Sequence, residues 1–124
     1  MKRGLSERCY AFFKVLANPT RLAILEALRK EPKGVTEIAK TLKQEQSMIS
    51  HNLQPLETCR FIFSERREKQ RIYSLNKETV GPLFELFDYH FQKYCPTQGS
   101  CLTENGLRRM RKQEASGQFH VTHG

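Results

Sequence analysis

Apolar residues recur along this chain first with a helical period, then in short extended runs, then with a helical period again. Leu5, Cys9, Phe12, Phe13 and Leu16 fall at i, i+4, i+7, i+8 and i+11, the stripe of an amphipathic first helix. Asn18-Pro19 stops it, because asparagine suits an N-cap and proline the first position of a new helix. That second helix carries Leu22, Leu25 and Leu28 and ends before Pro32 and Gly34. A short third helix follows over VTEIAKTL, with Thr36 as its expected cap and Glu37 in the first turn, where the helix dipole favours negative charge. Lys43-Gln44-Glu45 then turns the chain into a helix with two unlike faces. Ile49, Leu53 and Leu56, at i, i+4 and i+7, make an apolar stripe. Ser47, Ser50, His51 and Gln54, at i, i+3, i+4 and i+7, make a separate row of side chains that all form hydrogen bonds.

The period changes after this helix. FIFS at 61–64 and RIYSL at 71–75 are rich in β-formers and are separated by ERREKQ, which predicts a β-hairpin with a charged tip. Val80, Leu83, Phe84, Phe87, Phe91 and Tyr94 return to helical spacing, with Pro82 near the start and Pro96 past the end. One side of this last helix is too apolar for a monomer surface and predicts a partner chain packed on it. The expected fold is mainly α with a small β-hairpin, a winged helix-turn-helix that dimerises through its first and last helices. Leu5, Cys9 and Phe12 on the first, and Phe84, Phe87 and Phe91 on the last, are the expected interface residues. Residues 1–95 form the expected DNA-binding and dimerisation domain. Residues 96–124 are polar and glycine-containing, an expected mobile tail holding Cys101 and a short helix around 107–112.

Charge sharpens this reading. The 124 residues suit one domain, and 21 Lys plus Arg against 13 Asp plus Glu leave a net charge of +8. A pI near 9.6 favours an anionic partner, nucleic acid or an acidic membrane surface. No apolar run approaches the roughly 20 residues of a membrane span. Lys14 breaks the N-terminal apolar stretch and no cleavage site follows, so a cytoplasmic protein is expected, with reduced thiols at 9, 59, 95 and 101. No Ser/His/Asp set with supporting spacing, glycine-rich phosphate loop or H-x-E with a paired C-x-x-C is present, which argues against an enzyme. The two-faced helix suits the major groove of double-stranded DNA, where Gln54 would pair with adenine and the serines would read bases loosely. Gln46 and Thr36 are expected at phosphates through helix N-termini, and Arg66, Arg67, Lys69 and Arg71 at the DNA backbone or minor groove. Glu65 and Glu68 are interleaved with these cations, so a merely solvated turn is the alternative. A dimer would space two such helices one turn of DNA apart, ~34–36 Å, on a roughly palindromic operator. A winged-helix module for protein or RNA is the competing class.

Four segments carry a family resemblance. FKVLANPTRLAILEAL, VTEIAKTL, SMISHNLQPLE and ERREKQRIYSL resemble the opening helices, first helix-turn-helix helix, recognition helix and wing of the ArsR/SmtB family of dimeric bacterial and archaeal repressors. Asn18-Pro19-Thr20-Arg21 together with Ser50-His51-x-Leu53 is the most telling part. The resemblance implies release from the operator when a metal, metalloid or oxidant binds. The family's Cys-x-Cys site is absent, since Val35-Thr36-Glu37-Ile38 stands there. Of its last-helix carboxylate and histidine site only His90 falls on a ligand position; Lys77 and Thr79 stand where the first pair belongs. The thiols remain: Cys59, Cys95 and Cys101 resemble the cadmium/lead-sensing branch, and arsenite sensors also use C-terminal cysteines. Soft thiolates favour As(III), Cd(II) or Pb(II), with no cofactor required for folding. The alternatives are a redox-responsive repressor using Cys95 and Cys101, a regulator without a small inducer, and Cys9 and Cys59 as packing residues. Two positions depart from the family pattern. Pro55 inside the recognition helix costs roughly 3 kcal/mol. Arg60 stands at the usual helix-ending glycine, at about 1 kcal/mol. Both would weaken the last turn of that helix.

Overall fold

The computed structural model describes residues 4–95. The elements run α1 (Leu5–Leu16), α2 (Pro19–Lys30), β1 (Lys33–Gly34), α3 (Val35–Leu42), α4 (Gln46–Thr58), β2 (Ile62–Arg67), β3 (Gln70–Leu75) and α5 (Val80–Tyr94). The expectations for Pro96, Cys101, the polar tail and its helix at 107–112 lie outside the described residues.

Asn18 caps α2 as the sequence predicts: its backbone is extended and its Oδ1 accepts from the Arg21 backbone N–H at 3.0 Å. At the other end of α2 the nearly buried Lys33 donates to the Ala27 carbonyl at 3.3 Å, a cation where the helix dipole favours one. The start of α3 differs from expectation. Gly34 is the N-cap, without a side-chain cap bond, and Thr36 lies inside the helix. The cause is β1, which pairs antiparallel with β3 through Lys33↔Tyr73 and Gly34↔Ile72 and holds the chain extended until the residue before Val35. A Cβ at Gly34 would run into the Gln70 side-chain amide, which would have to move aside.

The sheet has the order β1-β3-β2. The hairpin lies where the β-formers place it, but its tip is tighter than the six residues ERREKQ. Pairing runs from Ile62↔Leu75 to Arg67↔Gln70, leaving Glu68-Lys69 as the connection, with Glu68 at φ 58°.

α4 continues through Pro55 to Thr58, so the last turn survives both departures from the family pattern. Pro55 has no N–H to donate to the carbonyl of His51, and His51 lies on the exposed face of the helix. Arg60 adopts the left-handed conformation, φ 62°, that a glycine would favour. Neighbouring bonds hold it there: Arg60 N–H donates to the Glu57 carbonyl at 3.0 Å and Phe61 N–H to the Leu56 carbonyl at 2.9 Å. The Asn76 side-chain amide donates to the Arg60 carbonyl at 2.8 Å.

Ile24, Leu25, Leu28, Ile38, Ile49, Leu53, Leu56, Ile62 and Val80 are fully buried. Leu22, counted on the α2 stripe, is instead exposed, and Ile24 takes the inward position. Only Leu16 of α1 is buried; Leu5, Phe12 and Phe13 are exposed. The Phe12 ring meets Phe61 edge-on, centroids 4.8 Å apart. The chain divides into two compact units after Leu83. In the second, Phe84 and Phe87 are half-buried and Leu86, Tyr89, Phe91 and Tyr94 are exposed along α5. Lys93 there donates to the Tyr89 hydroxyl at 3.0 Å, and hydrogen bonds to Tyr89 and Tyr94 push its ammonium above the ordinary lysine range.

Candidate nucleic-acid interface

Lys43 caps the C-terminus of α3 with a left-handed backbone (φ 55°), its N–H donating to the Ala39 and Lys40 carbonyls. Gln44 N–H adds a bond to the Ala39 carbonyl at 3.0 Å. This C-terminal cap turns the chain sharply enough for α4 to start at Gln46. Buried Ile49, Leu53 and Leu56 then fix which way α4 faces. Ser47, Ser50, His51 and Gln54 are all exposed on the opposite side, together with Gln46 in the first turn of α4 and Thr36 in the first turn of α3. Thr58 extends the polar row by another turn, and Met48 flanks it 51 % exposed. Met48 was legible as an apolar residue that the buried stripe leaves unused.

Asn52 escapes a reading of either face. It is 4 % exposed, and both ends of its amide are engaged. Its Oδ1 accepts from Arg21 Nε at 3.1 Å and its Nδ2 donates to the Met48 carbonyl at 2.9 Å. Arg21 Nη1 also donates to the Val15 carbonyl of α1 at 3.1 Å. No spacing rule links Arg21 to Asn52; the Asn18-Pro19-Thr20-Arg21 motif was the one visible sign that Arg21 mattered.

The wing cations differ in their surroundings. Arg67 pairs with Glu65, its Nη2 2.6 Å and its Nε 2.7 Å from the same carboxylate oxygen. Arg71 donates to Ser64 Oγ at 3.0 Å, and the Ser64 hydroxyl in turn donates to the Glu57 carboxylate near the end of α4. This chain of contacts ties the base of the wing to α4. It also puts a carboxylate near Tyr73, whose hydroxyl is pushed above its ordinary range by burial and by the Glu57 charge, against the opposing pull of Arg71. Arg66 and Lys69 are exposed, and no ion pair or side-chain hydrogen bond engages them among the described residues.

Cys9 and Cys59 are exposed and Cys95 is partly so. The exposure of Cys59 overturns its reading as a small buried packing residue, and Cys9 packs on nothing that buries it within the protomer. Cys101 lies outside the described residues, and among the described ones no three His, Cys, Asp or Glu gather as a metal-holding group. The His90 ring lies edge-on to Phe91 and tilted to Tyr94, at centroid distances of 5.9 and 5.8 Å. No described helix is long and apolar enough to cross a membrane.

A helix-turn-helix with a buried stripe and an exposed polar row on its second helix, followed by a basic two-stranded hairpin, is a winged helix-turn-helix domain. The chain belongs to the ArsR/SmtB family of bacterial regulators, a family of regulators and not of enzymes. The family described as "Bacterial regulatory protein, arsR family" matches residues 18–64. The HTH-type transcriptional regulator NmtR of Mycobacterium tuberculosis is 36% identical over 77 residues, 62% of this chain and 64% of the relative, so the match spans less than two thirds of that protein. A transcriptional repressor SmtB homolog of Synechocystis sp. is 32% identical over 93 residues, 75% of this chain and 70% of the relative. Among solved structures, apo-NmtR superposes with a TM-score of 0.62 at 30% identity, covering 74% of this chain and 81% of that one. Reduced HlyU from Vibrio cholerae gives 0.61 at 27% identity, covering 73% and 92%.

Proposed function

We propose that this protein is a homodimeric, sequence-specific repressor that reads double-stranded DNA with α4. The observation that carries the reading is the two-sided character of α4: three buried anchors lock its orientation while Ser47, Ser50, His51 and Gln54 stand exposed in a row. A single helix fits the major groove, and Gln54 offers an adenine a two-bond contact worth roughly 1–3 kcal/mol of discrimination. Gln46 and Thr36, in first turns, present phosphate contacts beside helix N-termini. Arg66 and Lys69, unpaired among the described residues, bring positive charge to the flanking backbone, and Arg67 and Arg71, engaged by Glu65 and Ser64, add hydrogen-bond donors there. The exposed apolar residues Leu5 and Phe12 on α1, with Cys9, and Phe91 on α5, with Phe84 and Phe87, are the positions offered to a second copy. Such a dimer takes a roughly palindromic operator with half-sites ~34–36 Å apart.

Residues 1–95 carry these tasks in this reading, and residues 96–124 add Cys101 as a tail. A thiol-binding inducer, As(III), Cd(II) or Pb(II), releases the DNA by binding Cys59, Cys95 and Cys101, supported by the accessibility of Cys59 and the partial exposure of Cys95. The cytoplasm, which keeps thiols reduced, is the compartment this requires.

The test has two steps. A duplex selected by the protein from a random library should be lost on His51→Ala or Gln54→Ala with melting unchanged; unaltered affinity in both variants would refute the groove assignment. Arsenite, Cd(II), Zn(II) and peroxide are then titrated into the complex. Release by a soft metal or metalloid that disappears in Cys95→Ser/Cys101→Ser supports the thiol site. Release by peroxide alone assigns a redox switch, and a response that survives the double substitution rules out the tail thiols.

A further inference from the structure

The buried polar contact between α2 and α4 invites a role beyond stability. Apolar packing such as that of Ile24, Leu28, Leu53 and Leu56 is non-directional and tolerates small slides of one helix on another. A hydrogen bond between buried groups does not, because its geometry is narrow and an unmade bond is costly. Asn52 sits in the middle of α4, directly after His51, with its amide held at both ends by Arg21 and the Met48 carbonyl. Arg21 is fixed as well: its backbone N–H is bound by the Asn18 cap and its Nη1 by the Val15 carbonyl near the end of α1. One planar guanidinium therefore grips α1 and α4 at once, in a fork whose angles are set by its own bonding.

We infer that Arg21 and Asn52 are a positioning pair, setting the placement of α4 on α1 and thereby the half-site spacing that the dimer accepts. The inference rests on the proposed reading of DNA by α4 in a dimer built partly on α1. In that arrangement α1 is the reference frame shared with the second copy. A loosened fork lets each α4 shift relative to that frame, and the dimer then discriminates less between operators of different spacing.

The experiment compares affinities for the selected duplex and for versions one base pair longer and one shorter between half-sites. The chain is tested unaltered and as Arg21→Lys, Asn52→Ala and the double variant, with melting curves alongside. Lysine keeps the charge but has one ammonium in place of the fork. The inference predicts that the preference for the selected spacing falls by roughly fivefold or more in each single variant, and little further in the double. A purely structural pair would weaken binding to all three duplexes by one common factor, and an unchanged ratio would overturn the inference. Should Asn52→Ala fail to fold, Arg21→Lys carries the same test, since Arg21 is half-exposed and its replacement opens no apolar cavity. Binding with an unchanged spacing ratio refutes the positioning role alone. An unaltered chain that binds no duplex overturns the DNA-reading proposal and this inference with it.

Discussion

Neutralising the two unengaged wing cations should flatten the salt dependence of DNA binding far more than removing a paired cation together with its carboxylate. Arg66 and Lys69 are exposed and without an ion-pair partner among the described residues, so their charge is free to replace condensed counterions on phosphates. Arg67 is already 2.6 Å from Glu65, and a phosphate approaching it meets that carboxylate too. Arg71 is one hydroxyl away from Glu57. Each phosphate neutralised contributes about −0.9 to the slope of log K against log salt. In a dimer, Arg66→Gln with Lys69→Gln should therefore move the slope toward zero by roughly 3 to 4. Arg67→Gln combined with Glu65→Gln should move it by less than about 1, because the Arg67–Glu65 pair carries no net charge. Fluorescence anisotropy on a labelled duplex between about 50 and 200 mM salt reads both slopes. Equal flattening by the Arg67→Gln/Glu65→Gln variant and by the Arg66/Lys69 variant would refute the claim that the wing's internal pairing decides which cations meet DNA.

Three further outcomes follow from the fold. Arg60→Gly should stabilise the protein by about 1 kcal/mol, since the left-handed backbone at φ 62° is strained for an arginine whose side chain is exposed; urea unfolding measures it, and a loss of stability would contradict it. Tyr73 holds its proton more tightly folded than unfolded, so its contribution is complete below the ordinary tyrosine value near 10 and is lost as pH rises through the higher folded value. Tyr73→Phe should accordingly make the alkaline fall in stability shallower, as read by melting between about pH 9 and 11. Leu5→Glu with Phe91→Glu places charge on two exposed apolar positions and should convert the dimer to a folded monomer in sedimentation, with its melting cooperative.

How much of this was legible in the sequence depended on how far apart the deciding atoms lie along the chain. The Asn18 cap, the turn at Lys43 and the two faces of α4 are local, set by neighbours within about one or two helical turns, and pattern alone identified them. The same pattern placed the hairpin but misjudged its tip. Glutamates and arginines are poor evidence for a strand until the register Ile62↔Leu75 carries the pairing outward to Arg67↔Gln70. Leu22 and Ile24 both fit an apolar helix, and the neighbours of α2 decided which one turned inward.

Other outcomes belong to tertiary structure alone. Thr36 has the chemistry of a cap, yet pairing of Gly34 with Ile72 across the sheet starts the helix two residues earlier than that cap would allow. Pro55 and Arg60 oppose the last turn of α4, but Phe61, Leu56 and Asn76 supply the contacts that keep it. Asn52 became a buried partner of Arg21 only when α2 and α4 packed together. The sequence by itself determined the five helices of the described residues, the hairpin, the polar row and the family, because periodicity acts between near neighbours, whereas β1 at Lys33–Gly34 exists only by pairing with β3. Tertiary structure decided which polar groups are engaged and which remain available to DNA, because hydrogen bonds and ion pairs depend on atoms that only folding brings within 3 Å or so.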